Sequence, residues 1–130
     1  MADLTVTIVT PEREVYAGQS TEILLPGWEG EFDILPGHDL FLSLLRGGVL
    51  DMTTPEGHQR YIVGRGFAEA SAEQVTVLVD SCEPAEGIDT AAAKADLAAA
   101  DNELLESASG TPEWEAAVEQ RELAMARLKV

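Results

Sequence analysis

From Leu4 to about Asp80, apolar and polar positions alternate in short runs. Leu4, Val6 and Ile8 are interleaved with Thr5 and Thr7; Leu40, Leu42 and Leu44 share one face; Val75, Val77 and Val79 repeat the pattern. A period of two belongs to strands with one buried face. Turn residues punctuate the runs: Pro11, Gly18, Pro26-Gly27, Pro36-Gly37, Gly47-Gly48, Pro55-Glu56-Gly57 and Gly64-Arg65-Gly66. This spacing predicts an antiparallel β-sandwich whose inward faces bury the aliphatic side chains and whose closure limits exposed edges.

After Glu83-Pro84-Ala85-Glu86-Gly87 the period changes to that of a helix. Asp89 can cap a first helix, along which Ala93, Leu97, Ala100 and Leu104 form one apolar stripe. Ser107-Ala108-Ser109-Gly110 interrupts it; Thr111 then offers a second cap, with Pro112 at the first helical position, where its missing N–H costs little. In the second helix the acids Glu113, Glu115 and Glu119 come early and the bases Arg121, Arg127 and Lys129 late, as the helix dipole favours. Each helix is expected to run about 18 residues, about 27 Å, and the short loop makes the pair an antiparallel hairpin. The reading is a β-sandwich domain over 1–85 and a helical hairpin domain over 86–130.

Seven alanines lie between Ala91 and Ala100. Such a face lets backbones approach but buries little apolar area, and at about 25 cal/mol per Å² it is weakly held. Two helices of this kind are marginal alone, so the hairpin is expected to lean on the sandwich or on another protein, and to be detachable.

With 24 acids against 8 bases, the formal charge is −16. That balance repels phosphate backbones, so nucleic acid is excluded as a partner. Aromatic residues make up only 5% of the chain, too few for a stacking platform. Cys82 is the sole cysteine and cannot form an internal disulfide. With neither a basic N-terminal segment leading into an apolar run nor a long apolar stretch, the chain reads as soluble and intracellular. Lysine is confined to Lys94 and Lys129; adaptation to a salty cytoplasm and ordinary solubility charge both explain the acidity.

The segment GEFDILPGH, Gly30 to His38, concentrates candidate chemistry. Catalysis would have to come from His38, His58, Cys82 and the carboxylates, yet no local signature ties Cys82 to either histidine as nucleophile and base. HExxH and CxxC are absent, so no metal site is assigned. Gly47-Gly48 and Gly64-Arg65-Gly66 lack the form of a phosphate loop and are better explained as strand turns. Leu35-Pro36-Gly37-His38 suits a type II turn. The turn accounts for Pro36 and Gly37 but not for the grouping of Glu29, Glu31, Asp33, His38 and Asp39 beside it. These residues are either a solvated acidic rim or a recognition surface.

GWEGEFDILPGHDLFLSLLRGGVL, from Gly27 to Leu50, followed by YIVGRGFAEA and QVTVLVD, closely resembles the epsilon subunit of F-type ATP synthases, called delta in mitochondria. The family's loop of type G-x-[FL]-x-[IV]-L-P-G-H stands here as Gly30 to His38, and its glycine-rich strand start as Gly64-Arg65-Gly66-Phe67. The likeness spans nearly the whole chain and is most specific in its middle section.

The resemblance implies a non-catalytic central-stalk subunit without a cofactor, peripheral on the cytoplasmic face of the plasma membrane and attached to it only through the complex. Its sandwich would pack on the gamma subunit and the c-ring loops, with Glu29, Glu31, Asp33 and His38 at that interface, coupling proton-driven ring rotation to ATP synthesis. The hairpin would be permissive when folded and would inhibit ATP hydrolysis when extended, Arg121, Arg127 and Lys129 meeting an acidic segment of the beta subunit. Because the helix stops at Val130 and Glu113, Glu115, Glu119 and Glu122 outnumber those bases, inhibition is expected to be weak. The family's ATP signature, I/L-D-x-x-R-A, stands here as Ile88-Asp89-Thr90-Ala91-Ala92-Ala93. Alanine at the arginine place removes the bidentate phosphate partner, so ATP binding is expected to be weak or absent. A free-standing adaptor whose hairpin holds another helix is the rival reading from the residues alone.

Overall fold

The alternating stretches form ten strands in a computed structural model that describes residues 3–130. They are β1 (Leu4–Val9), β2 (Glu14–Ser20), β3 (Glu22–Gly27), β4 (Gly30–Ile34), β5 (Phe41–Leu45), β6 (Gly48–Thr54), β7 (Gly57–Val63), β8 (Gly66–Ala70), β9 (Gln74–Val79) and β10 (Cys82–Pro84). The pairing order is β10-β7-β6-β3-β5-β8-β9-β1-β2, with β4 paired to β3. The path folds into two layers where Gly27, the last residue of β3, pairs with Leu45 of β5. All pairs are antiparallel except β1 with β9, which run parallel from Thr5 opposite Gln74 to Val9 opposite Leu78.

One core fills the space between the layers. Ile23, Leu25, Leu50, Met52, Tyr61 and Val63 come from one side, and Leu4, Val6, Ile8, Leu45, Val75, Val77 and Val79 from the other. All of its members lie on strands; no helical residue belongs to it. At the end of β4, Gly37 takes φ +87°, the left-handed conformation that the turn over Leu35–His38 requires. Its N–H donates to Ala72 O at 2.8 Å, tying this loop to the β8–β9 turn.

The leucine face on β5 differs from the sequence expectation. Leu40, Leu42 and Leu44 do share a side, but it points outward, leaving them 78, 66 and 64% exposed. Register decides this: Ser43 lies opposite buried Ala68 and Phe41 opposite buried Ala70, so the side chains between them must face away from the core.

The hairpin consists of α1 (Thr90–Glu106) and α2 (Pro112–Leu128). Asp89 caps α1 by accepting from the Ala92 N–H at 3.1 Å, and Thr111 caps α2 by accepting from Trp114 N–H at 3.3 Å. Ala93 and Ala100 are buried while Leu97 and Leu104 are half-buried, so the apolar stripe faces the partner helix. α2 is the helix that packs on the sandwich, against β6 and β7. Ile62, on the other side of β7 from Tyr61 and Val63, is 1% exposed.

Candidate docking interface

Four strands place an apolar row on the outside of one layer. Leu44 lies opposite Phe67, Phe67 opposite Leu78, and Leu78 opposite Val9. Paired residues point to the same side of a sheet, so all four share the outer face, with Leu42 one step along β5. Next to Leu44, the β3–β4 turn presents Trp28, whose N–H donates to Leu44 O at 3.0 Å. Trp28, Glu29, Glu31, Phe32, Leu42 and Leu44 line a groove of about 450 Å³. Val9, Pro11, Phe67 and Leu78 line a second, more apolar concavity of about 460 Å³. A contiguous outward apolar surface edged by carboxylates suits a protein partner better than solvent.

The residues singled out from the sequence are not gathered at one point. Glu29 and Glu31 line the groove. Asp33 lies further along β4, opposite Leu24, and faces Glu22. A hydrogen bond shared with Asp33, and then the Asp33 charge, raises Glu22 above its ordinary value. His38 sits beyond β4 at the loop, its ring edge-on to Phe41 at 4.8 Å and its Nδ1 3.1 Å from Asp39 O. The acids and His38 thus form a ribbon along β4 and the following loop.

At the other end of β4, α2 is clasped to the sandwich. The Glu122 carboxylate accepts from Gly47 N–H at 3.0 Å and from Arg65 Nε and Nη2 at 3.1 and 2.9 Å. Arg46 Nη2 lies 3.7 Å away, and Arg65 also reaches Glu119 at 3.5 Å. Burial pushes the Glu122 carboxyl up, but the hydrogen bonds from Arg65 and Gly47 and the charges of Arg65 and Arg46 outweigh it and hold the group below the ordinary range. Both guanidiniums also lie by the Trp28 ring, Arg65 at 4.9 Å and Arg46 at 5.5 Å from its centroid. From sequence alone Arg65 reads as part of a turn and Glu122 as surplus charge; a base between two turn glycines is the one local signal the clasp leaves.

Of the candidate inhibitory bases Arg121, Arg127 and Lys129, the first two are engaged within the chain. Arg121 donates to Asp101 at 2.8 Å across the hairpin; Arg127 donates to Glu83 of β10 at 2.6 Å and lies 3.7 Å from Asp96. Lys129 is exposed at the end of α2.

The catalytic candidates are scattered. His58 Nδ1 lies 3.0 Å from Asp51 in an exposed contact between β7 and β6, and Cys82 sits opposite Val63. Burial pushes the Cys82 thiol up to about 11, so it is protonated near neutrality and a poor nucleophile. Among the described residues no group of three or more His, Cys, Asp or Glu is placed to hold a metal ion, and no helix is long and apolar enough to cross a membrane.

An outward apolar, acid-edged face on a sandwich that carries a clasped helical hairpin suits a protein that works against partner surfaces. The chain belongs to the ATP synthase delta/epsilon chain family: residues 3–85 match the family described as "ATP synthase, Delta/Epsilon chain, beta-sandwich domain". It is 39% identical over 126 residues to the ATP synthase epsilon chain of Myxococcus xanthus, covering 95% of this chain and 93% of that one. The ATP synthase epsilon chain of a Synechococcus strain is 41% identical over 101 residues, 78% of this chain and 74% of that one. The same fold occurs in a chain of the Euglena gracilis mitochondrial ATP synthase, with a TM-score of 0.83 at 19% identity over 97% of this chain and 79% of that one. It occurs again in the central stalk and c-ring structure of the Tetrahymena thermophila enzyme, with a TM-score of 0.60 at 16% identity over 97% of this chain and 94% of that one.

Proposed function

We propose that this chain is a non-catalytic rotor subunit in the central stalk of an ATP synthase, coupling proton-driven rotation of the c-ring to ATP synthesis. The observation that carries the reading is the outward row Leu44–Phe67–Leu78–Val9 beside the acid-lined groove, in a chain of this family. Covering a largely exposed leucine such as Leu42 or Leu44 is worth about 1–2 kcal/mol, so this face drives association. The carboxylates set its register against basic partner groups. The apolar row and groove take the gamma subunit, while Glu29, Glu31, Asp33 and His38, strung along β4 and its loop, meet gamma and the polar loops of the ring. The chain works at the cytoplasmic face of the plasma membrane and reaches the membrane through the complex.

The hairpin is regulatory. Docked by Glu122, it leaves hydrolysis unhindered; released, it brings Arg121, Arg127 and Lys129 toward the beta subunit, at the cost of the ion pairs that Arg121 and Arg127 make here. ATP binds weakly or not at all, because Ala92 offers no guanidinium to a phosphate. The test is affinity capture of the tagged chain from solubilised membranes of its own organism. Alpha, beta, gamma and c subunits are expected in the eluate; recovery of the chain alone contradicts the reading.

A further inference from the structure

Trp28 stands where the docking groove meets the helix clasp. It lines the groove with Leu42 and Leu44 and is 48% exposed. The guanidiniums of Arg65 and Arg46 lie 4.9 and 5.5 Å from its ring centroid. Those same groups reach the Glu122 carboxylate at 2.9 and 3.7 Å. Indole, two cations and carboxylate therefore form one cluster, open to the groove at one end and fixed to α2 at the other.

We propose that Trp28 couples occupancy of the groove to docking of the hairpin, so that a partner seated in the groove tightens α2 on the sandwich. The attraction between a cation and an aromatic ring grows as both lose water. A partner covering the exposed part of the indole thus strengthens its hold on Arg65 and Arg46, and guanidiniums held in place keep Glu122 paired. Linkage makes the effect reciprocal: a docked α2 orders Trp28 and raises the affinity of the groove by the same factor. The proposal rests on the reading that the gamma subunit occupies the groove. The opposite sign would require the partner to draw the indole away from the two arginines.

Hydrogen exchange of the α2 amides in the full chain tests this, with the chain alone and bound to an assembly of alpha, beta and gamma subunits lacking it. In the isolated chain, Trp28→Leu is expected to speed α2 exchange about fivefold, with Trp28→Phe intermediate because it keeps a ring. Unchanged protection of β6 to β9 shows that the sandwich is intact. Binding to the assembly is expected to slow α2 exchange in the wild-type chain and not in Trp28→Leu. In the reciprocal arm, Glu122→Gln lowers affinity for the assembly about fivefold. Exchange in isolated Trp28→Leu equal to wild type, equal slowing of both proteins on binding, faster exchange on binding, or undiminished affinity of Glu122→Gln each overturns the coupling. Failure of the wild-type chain to form the complex, seen by gel filtration, overturns the docking reading and the coupling together, and so is distinct from failure of the coupling alone.

Discussion

Glu122 of α2 and Arg65 of the β7–β8 turn, 57 positions apart, form a two-pronged ion pair with hydrogen bonds of 2.9 and 3.1 Å. The pair decides how a weakly apolar hairpin stays on the sandwich. The faces within the hairpin are built largely from alanine, whereas hydrogen bonds to a charged, largely buried carboxylate are worth about 1.5–3 kcal/mol each before solvent exposure of Arg65 is discounted. The clasp therefore holds α2 on the sandwich beside the apolar contact over buried Ile62, and none of its groups belongs to the core.

Acid should release the clasp. In the docked state Glu122 lies below its ordinary value of 4.5, so its contribution is complete above that value and is lost as pH falls through the depressed one. Lowering the pH also relieves repulsion in a chain of charge −16, which works the other way, so the comparison must be made against a variant. Protection of α2 is expected to fall below about pH 4.5 in wild type. In Glu122→Gln it should be low from pH 7 downward, with this transition missing. Parallel titrations of the two proteins contradict the assignment.

Of the glycines, Gly66 leaves the least room for a side chain. A Cβ there would stand 1.9 Å from Leu78 O and 2.7 Å from Val79 Cα, with backbone rather than a movable side chain in the way. Gly66→Ala must spread β8 from β9, and is expected to cost more than about 3 kcal/mol in urea unfolding. A loss under about 1 kcal/mol shows that the two strands adjust.

Residues 1–85 are expected to fold alone, because the core draws only on strands. A fragment ending at Ala85 should give β-type circular dichroism and a cooperative thermal transition; a coil spectrum contradicts the division. Within the complex, removal of 88–130 should leave ATP synthesis intact and raise hydrolysis by less than about tenfold, a barrier change of less than about 1.4 kcal/mol.

The strands and helix ends were legible because their signals are local. Alternation at Leu4–Ile8 and Val75–Val79, the Asp89 cap and Thr111-Pro112 each declare themselves within a few residues. The parallel pairing of β1 with β9 was not legible, since it joins segments about 70 residues apart and nothing in either run specifies direction. The outward turn of Leu42 and Leu44 was hidden for a related reason. Period two shows that residues share a side but not which side, and here buried alanines across the strand on β8 make the choice. The acidic ribbon was visible as composition. The Arg65–Glu122 clasp and its contact with Trp28 exist only once distant elements are brought together.

The central claim, that the outer face of β5 docks on the rotor, is tested most directly by incorporation of Leu42→Asp/Leu44→Asp into the synthase. Both side chains are more than 60% exposed, so the variant should unfold within about 0.5 kcal/mol of wild type. Quantified in purified complexes against the gamma subunit, it should be present at less than about a tenth of the wild-type level, as expected for losing about 1.4 kcal/mol or more of binding. Wild-type incorporation of a normally folded variant would contradict the account.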